Sequence, residues 1–142
     1  MVLPFTKTVN NEDETAQLAV DFAKLVNNGQ VIILIGNLGA GKTFFIKKLL
    51  ASFGIRNVNS PSFAIVNEYE GKIKAYHFDF YRLNKIEELY DIGWEDYLND
   101  TEAVLLVEWG DLLREALPVK KIEIAISFMD GTKRRFDFKE YE

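Results

Sequence analysis

The eight residues GNLGAGKT at positions 36–43 constrain the fold of this chain more than any other segment. They follow the apolar run VIILI and precede the amphipathic stretch FFIKKLLASF, so they join a predicted buried strand to a predicted helix. The octet matches G-x-x-x-x-G-K-[ST], in which glycines let the backbone curl round phosphate groups with its N–H groups directed inward. The following helix points its positive N-terminal end at the same anion. The segment therefore predicts a site for a nucleoside triphosphate.

Each position of this phosphate loop, residues 36–43, has an expected task. Lys42 is expected to reach the β- and γ-phosphates, and the Thr43 hydroxyl is expected to bind Mg²⁺. The remaining positions are expected to line the phosphates: Gly36, Asn37, Leu38, Gly39, Ala40 and Gly41. An ordinary glycine-rich turn is the alternative, and it is disfavoured because the motif stands in the strand-and-helix context that it requires.

A triphosphate site also needs an acid for the metal, and Glu108 is the best candidate. It directly follows the apolar run AVLLV, at the carboxyl end of a predicted buried strand, where ligands bind in sheets of this kind. The alternative is a strand-end acid that simply faces water. Asp111 is a weaker candidate, because it is better explained as the cap of a short helix.

The segment YHFDFYRL, residues 76–83, predicts a strand with two different faces. Because strand residues alternate, His77, Asp79 and Tyr81 are predicted to share one face, opposite an aromatic face that enters the core and leads to Arg82. Asp79 is a candidate to hold metal-bound water or to orient the attacking water; otherwise it belongs only to the polar face of an edge strand. For His77, the only histidine, a structural role is the more common one.

The order of predicted elements is that of an α/β protein. Continuous apolar runs at 30–36 and 102–109 are typical of strands buried on both faces of a parallel sheet. A strand is also predicted at 4–9, hairpins at 62–83 and 121–139, and helices at 10–29, 42–54, 84–100 (interrupted at Gly93) and 110–118. This predicts a P-loop NTPase-like sheet, parallel in its core with antiparallel edge hairpins and helices on both faces. The length of 142 residues predicts a single domain, 1–142.

Composition and charge exclude several classes of protein. The chain has no cysteine, which excludes a disulfide framework, a thiolate metal site and a cysteine nucleophile. No apolar run approaches the roughly 18 residues of a membrane-spanning helix, and no secretory signal is recognisable, so a cytoplasmic location is expected. The formal net charge of −5 disfavours broad electrostatic binding to nucleic acid.

Two shorter segments are less specific. The hydroxyls of NSPSF, residues 59–63, suit a loop that senses the γ-phosphate, but a plain loop explains this segment as well. The segment NKIE, residues 84–87, resembles the guanine-reading N-K-x-D signature. We reject that interpretation, because no buried strand precedes the segment and it lies before the strand of the metal acid.

In this order, the segments GNLGAGKT, SPSFAIVNEY, YHFDFYRL, EELYDIGWEDYL and LLVEWGD resemble the TsaE (YjeE) family. Its members are the small ATPase subunits of the bacterial complex that makes threonylcarbamoyladenosine in tRNA. The resemblance covers nearly the whole chain. A phosphate loop alone would indicate only a nucleotide, whereas the ordered set is specific.

The resemblance implies that the chain binds and hydrolyses ATP with Mg²⁺ and forms a complex with the TsaB and TsaD proteins. TsaD performs the transfer to tRNA, so tRNA is involved only through the complex, and TsaE supports the turnover of TsaB–TsaD. By the same resemblance, Lys42, Asp79 and Glu108 are expected to be catalytic, with Thr43 and Glu108 holding the metal. Nucleotide contacts outside the loop are expected at Glu12, Ser62 and Trp109, although Trp109 is alternatively a core aromatic.

This sequence departs from the family pattern at three positions. The loop carries Asn37 and Phe44 where the family commonly has an acid and a second hydroxyl, and Ser62 stands for the commoner threonine.

Two other functions stay open. A small P-loop kinase that phosphorylates a metabolite would normally have a lid insertion and several arginines, and neither is obvious here. A nucleotide-binding switch without useful turnover would differ only in rate.

Overall fold

The structure is a computed structural model, and it describes residues 1–58 and 65–142. The strands in these residues are β1 (Phe5–Val9), β2 (Val31–Ile35), β3 (Val66–Glu70), β4 (Lys74–Asp79), β5 (Ala103–Glu108), β6 (Lys121–Phe128) and β7 (Arg134–Tyr141). The α-helices are α1 (Glu12–Ala23), α2 (Lys42–Ala51), α3 (Ile86–Asp91) and α4 (Trp94–Leu98). Two 3₁₀ helices, Phe80–Arg82 and Gly110–Ala116, follow β4 and β5.

The strands form one sheet in the order β1-β7-β6-β2-β5-β4-β3. Pairing is parallel between β2 and both of its neighbours, β5 and β6, and between β5 and β4. The outer pairs are antiparallel. The predicted parallel core and antiparallel edge hairpins are therefore confirmed. The parallel register also brings the carboxyl ends of β2, β4 and β5 to the same edge of the sheet.

Two apolar cores cover the two faces of the sheet. Helices α1 and α2 pack on one face, where the Phe22 ring lies 5.1 Å from the Phe138 ring and Phe45 lies 5.4 Å from Phe136. Helices α3 and α4 and the second 3₁₀ helix cover the other face. There Trp94 meets Phe78 edge-on at 4.8 Å. Helices on both faces were predicted, and they are present.

The predicted helix at 10–29 is shorter in the structure. It begins at Glu12, after Asn11, whose side chain accepts a hydrogen bond from the Glu14 N–H. It ends at Ala23, because the residues that follow make hydrogen bonds to the third residue before them and not to the fourth, as from Leu25 N to Phe22 O. Gly29, at φ +87°, donates to the Ala103 carbonyl and leads into β2. Helix α2 likewise ends at Ala51, before the predicted boundary of 54.

Strand β4 ends at Asp79, and this corrects part of the predicted face alternation. The Asp79 side chain accepts a hydrogen bond from the Tyr81 N–H, and Phe80–Arg82 form a 3₁₀ helix. Tyr81 is therefore 60% exposed, and Arg82 turns towards Asp79 and not to the aromatic side. Strand β4 lies between β5 and β3, so the interpretation of Asp79 as part of an edge strand is wrong.

Other predicted features agree with the structure or lie outside it. Gly93, at φ +89°, separates α3 from α4 as predicted. The predicted helix at 110–118 is a 3₁₀ element with a kink at Leu113. Among the helices of the described ranges, none has the length and apolar character that crossing a membrane requires. The predicted sensing loop NSPSF, with Ser62, lies outside the described residues.

Candidate nucleotide site

The phosphate loop connects the carboxyl end of β2 to the first turn of α2. Gly39 and Gly41 adopt φ values of +81° and +106°, a region that side chains with a Cβ rarely adopt. A Cβ placed at either position would meet no atom within 4 Å, so the loop opens onto free space at these residues. Gly36 differs, because a Cβ there would lie 2.6 Å from the Ile126 carbonyl oxygen of β6. The glycines thus serve both loop shape and packing.

Lys42 is the first residue of α2 and is buried. Its Nζ donates to the carbonyl oxygens of Gly36, at 2.5 Å, and Asn37, at 3.1 Å. The same ammonium lies 4.1 Å from the centre of the Trp109 ring. Burial lowers the pKa of Lys42, although the negative charge of Glu108 opposes that shift. The Lys42 ammonium is therefore held beside the loop by neutral carbonyl oxygens, which are weaker acceptors than charged groups.

Thr43 and Glu108 meet where α2 begins and β5 ends. The Thr43 hydroxyl donates to the Glu108 carboxylate, with distances of 2.9 Å to Oε1 and 3.1 Å to Oε2. Oε2 also lies 2.6 Å from Nε2 of His77 on β4. Glu108 is buried and stands next to Leu34 of β2 in the parallel register. It therefore lies at the end of a strand beside the loop strand, where the sequence predicted it.

Asp79 stands beside Glu108 in the register between β4 and β5. Its Oδ1 accepts from the Tyr81 N–H at 3.1 Å, and its Oδ2 lies 3.8 Å from Arg82 Nε. Burial raises the pKa of the Asp79 carboxyl, and the nearby charge of Glu108 raises it further. The Tyr81 N–H and Arg82 oppose this rise. Two partly desolvated carboxylates thus lie side by side at the edge of the sheet.

Two cavities lie on either side of the phosphate loop. One, the Glu108-side cavity, has a volume of about 420 Å³ and is lined by Lys42, Thr43, Asp79, Arg82, Glu108 and Trp109. The other, the Glu12-side cavity, has a volume of about 240 Å³ and is lined by Glu12, Thr15, Ala40, Phe44, Thr132 and Arg134. Gly39, Gly41 and Phe44 line both cavities. The two spaces are thus neighbours across the loop.

The structure brings most of the predicted site residues together. The Glu108-side cavity is lined by eight of them: Leu38, Gly39, Gly41, Lys42, Thr43, Asp79, Glu108 and Trp109. Glu12 and Ala40 line the Glu12-side cavity, and the Gly36 and Asn37 carbonyls accept hydrogen bonds from Lys42. Asp111 is not the predicted helix cap: Trp109 stands at the cap position, and Asp111 adds negative charge near Lys42. Among the described residues, no group of three or more His, Cys, Asp and Glu side chains is arranged to hold a metal.

Three features of the site have no direct sequence signal. His77 contacts Glu108, Arg82 contacts Asp79, and Arg134 Nε donates to the Ala40 carbonyl of the loop at 3.2 Å. The hydroxyl of Thr132, in the turn between β6 and β7, donates to the Asn10 carbonyl ahead of α1. The shared face of His77 and Asp79 was a partial signal for the first contact. The Arg134 contact joins segments 94 positions apart, which no local pattern reveals.

A larger cavity of about 630 Å³ lies at the opposite end of the parallel strands, near Gln30, Lys121 and Tyr141. Ligands of open α/β sheets bind at the carboxyl ends of the strands, so this position is less favourable for a nucleotide. Its Lys121 ammonium already donates to the Pro118 and Val119 carbonyls. The loop side of the molecule therefore carries the candidate site.

Comparison with known proteins identifies the family of this chain. The family described as "Threonylcarbamoyl adenosine biosynthesis protein TsaE" matches residues 9–136. The chain belongs to the TsaE family. Members of this family take part in tRNA threonylcarbamoyladenosine biosynthesis, and that role identifies the process in which the chain acts.

Individual relatives match over most of their length. A Bacillus subtilis protein with the name tRNA threonylcarbamoyladenosine biosynthesis protein TsaE is 40% identical over 134 residues, covering 93% of this chain and 82% of the relative. A Rickettsia typhi protein of the same name is 35% identical over 136 residues, covering 94% of this chain and 93% of the relative. The crystal structure of Bacillus subtilis YdiB matches the fold with a TM-score of 0.79 and 31% identity, over all of this chain and 88% of that one.

Proposed function

We propose that the chain binds ATP with Mg²⁺ in the Glu108-side cavity and hydrolyses it in support of a TsaB–TsaD complex. One observation carries this proposal. The lysine and threonine of the phosphate loop face the strand-end carboxylate of Glu108 in one cavity, with the Thr43 hydroxyl 2.9 Å from Glu108 Oε1. This combination of groups is the one that phosphoryl transfer in P-loop proteins uses.

The residues present fit a bound triphosphate. The open space beside Gly39 and Gly41 leaves the loop accessible to phosphate, and Lys42 supplies a cation whose present acceptors are neutral carbonyls. Phosphate oxygens are stronger acceptors for an ammonium than carbonyl oxygens are, because the bond is then assisted by charge on both partners. Lys42 would therefore exchange the Gly36 and Asn37 carbonyls for phosphate.

The donor set at Thr43 and Glu108 fits Mg²⁺. Both groups offer oxygen atoms, which Mg²⁺ prefers, and it commonly takes only one or two protein ligands beside water and substrate phosphates. The lack of a larger acidic cluster among the described residues therefore agrees with a metal brought by the nucleotide. When bound there, Mg²⁺ would neutralise charge on the β- and γ-phosphates.

Asp79 is the candidate to orient water. It lies beside Glu108, and desolvation raises the pKa of its carboxyl, which favours acceptance of a proton from a neighbouring group. Arg82, 3.8 Å from Asp79, is the nearest arginine to this carboxylate on the same cavity wall. The Glu12-side cavity, which shares Gly39 and Gly41 with the first, is the candidate space for the rest of the nucleotide.

The family resemblance supplies the proposed partners. The names of the relatives include tRNA threonylcarbamoyladenosine biosynthesis. Within that process we assign this chain the role of the ATPase that serves TsaB–TsaD. The proposed contact with tRNA is indirect, because the net charge of −5 disfavours binding to a polyanion.

Co-purification with TsaB and TsaD, followed by measurement of phosphate release from ATP, tests the proposal. We expect a stable complex, Mg²⁺-dependent ATP binding, and release of inorganic phosphate. Transfer of the γ-phosphate to a compound in a metabolite panel, without formation of the complex, would instead indicate a small kinase.

A further inference from the structure

His77 is buried in a position where an apolar side chain would be expected. Its side chain is fully buried, and β4 places it between Ala75 and Asp79 on one strand face. Its register partner on β5 is Leu106, and both Leu106 and Ala75 belong to the core under α1 and α2. A polar ring in such surroundings is costly unless its nitrogens have partners.

The ring of His77 directs one nitrogen at Glu108. Nε2 lies 2.6 Å from Glu108 Oε2, while Nδ1 is buried and has no hydrogen-bond partner among residues 1–58 and 65–142. A carboxylate only accepts hydrogen bonds, so Nε2 carries the proton of this contact and donates it to Glu108. Within these residues, the polar function of His77 is directed to Glu108 alone.

Glu108 is held from two sides as a result. The Thr43 hydroxyl from α2 contacts both carboxylate oxygens, and His77 from β4 contacts Oε2. One contact alone would leave the plane of the carboxylate free to turn about its last side-chain bond. The Nε2 contact to Oε2 from β4 and the Thr43 hydroxyl contact from α2 come from different elements, and together they define that plane.

We propose that His77 is a positioning residue for Glu108, and that it sets the affinity of the site for Mg²⁺ by fixing the carboxylate. This inference rests on the proposed function, because it gives Glu108 the metal. Groups that hydrogen-bond a metal ligand commonly change metal affinity by about 10- to 100-fold when they are removed. His77 would not touch nucleotide or metal itself.

Three substitutions separate positioning from packing. In His77→Gln the amide nitrogen can reach the place of Nε2 and donate to Glu108, whereas in His77→Asn it falls near Nδ1 and cannot. His77→Leu fills the space without a donor. Phe78→Leu is the matched control, because Phe78 is equally buried on the same strand but faces the other core, away from Glu108.

Calorimetric titration of ATP with and without Mg²⁺ measures the effect. We expect His77→Leu and His77→Asn to keep the Mg²⁺-free affinity and to lose about 10- to 100-fold of the Mg²⁺ enhancement. His77→Gln should retain most of it, and Phe78→Leu all of it. Wild-type enhancement in His77→Leu overturns the proposal, as does an equal loss in Phe78→Leu. If the wild type shows no Mg²⁺ enhancement, the proposed function fails first, and this inference fails with it.

A second measurement needs neither nucleotide nor metal. Because the chain has a single histidine, ¹⁵N labelling of histidine gives one pair of ring signals. We expect a protonated Nε2 in the wild type, with the Nε2 signal displaced in Glu108→Gln. A ring protonated at Nδ1 with Nε2 bare, or signals that do not respond to Glu108→Gln, would overturn the proposal even if the Leu variant did not fold.

Discussion

Lys42 is the residue whose substitution tests nucleotide binding most directly. We expect Lys42→Ala to fold normally and to bind ATP more weakly by about 1.5–3 kcal/mol, the cost of one charged hydrogen bond. Thr43→Ala should weaken binding chiefly when Mg²⁺ is present, because its hydroxyl is the contact to Glu108. Calorimetry with ATP and Mg²⁺ measures both effects.

Lys47→Ala is the matched control for Lys42→Ala. Lys47 lies on the same helix, is exposed, and lines neither of the two cavities beside the loop. Its removal should leave the affinity unchanged. If Lys42→Ala binds ATP as tightly as the control variant does, the loop is not a phosphate site.

Glu108→Gln tests whether this carboxylate holds the metal. Glu108→Gln keeps the shape of the side chain but removes its charge, so we expect most of the Mg²⁺ enhancement of ATP binding, about tenfold or more, to disappear together with turnover. Glu123→Gln is the control, because Glu123 is also a buried carboxylate but pairs with Arg114 at 2.8 Å. Equal Mg²⁺ enhancement in Glu108→Gln and the wild type would exclude Glu108 as a metal partner.

Residue patterns located the centre of the candidate site but not the residues that contact it from neighbouring elements. The phosphate loop and the acid after AVLLV could be located because each is a short motif in a defined element. The partners Arg82, His77 and Arg134 could not, because each depends on where a strand ends or which strands are neighbours. Arg82 turns towards Asp79 only because β4 stops there.

At the scale of elements, strongly patterned segments were predicted best. The continuous apolar runs became β2 and β5, the parallel pair at the centre of the sheet. Element ends were less well predicted. Helix α1 stops at Ala23, although Leu25 and Val26 continue its apolar spacing. Both residues still pack against the core, but they do so from the turn that follows the helix. Apolar periodicity indicates which residues are buried, and a turn can bury such residues as well as a helix can.

The junction between β5 and the following 3₁₀ helix supports a third prediction. Trp109 there has φ +61°, which is unusual for a residue with a side chain, and such backbone conformations are often found at functional sites. Its ring lies 4.1 Å from Lys42 Nζ and 5.0 Å from the Tyr81 ring. Because the site around this ring should change when nucleotide binds, we expect its fluorescence to change.

Trp109→Phe is the variant that isolates the signal. The other tryptophan, Trp94, is fully buried and donates to the Ala116 carbonyl at 2.9 Å, so its substitution would disturb the core. We expect Trp109→Phe to lose the nucleotide-dependent change and to keep the constant signal of Trp94. An unchanged response in Trp109→Phe, or no response in the wild type at saturation, would leave Trp109 as packing only.

At the scale of the whole molecule, the proposed ATP hydrolysis raises the question of how its rate is controlled. Phosphoryl transfer needs positive charge on the developing transition state, and an arginine supplied by a partner can add 10³- to 10⁵-fold in rate. Arg82 is the candidate within this chain, but its Nε lies 3.8 Å from Asp79, and its side chain is 41% exposed. Its guanidinium therefore lies beside a carboxylate, which offsets the positive charge that the transition state needs.

We therefore expect slow ATP hydrolysis by the isolated chain and acceleration by TsaB–TsaD. Phosphate release at saturating ATP and Mg²⁺, with and without the partner pair, measures the acceleration. Arg82→Ala then distinguishes two causes. If docking frees Arg82 from Asp79, the variant loses the acceleration, whereas if the partner supplies its own cation, the variant keeps it. Arg135→Ala is the control, because Arg135 is an exposed arginine that pairs with Asp137 and lines neither cavity. Equal rates with and without the partners, under conditions where the complex forms, would mean that TsaB–TsaD act on a step other than hydrolysis.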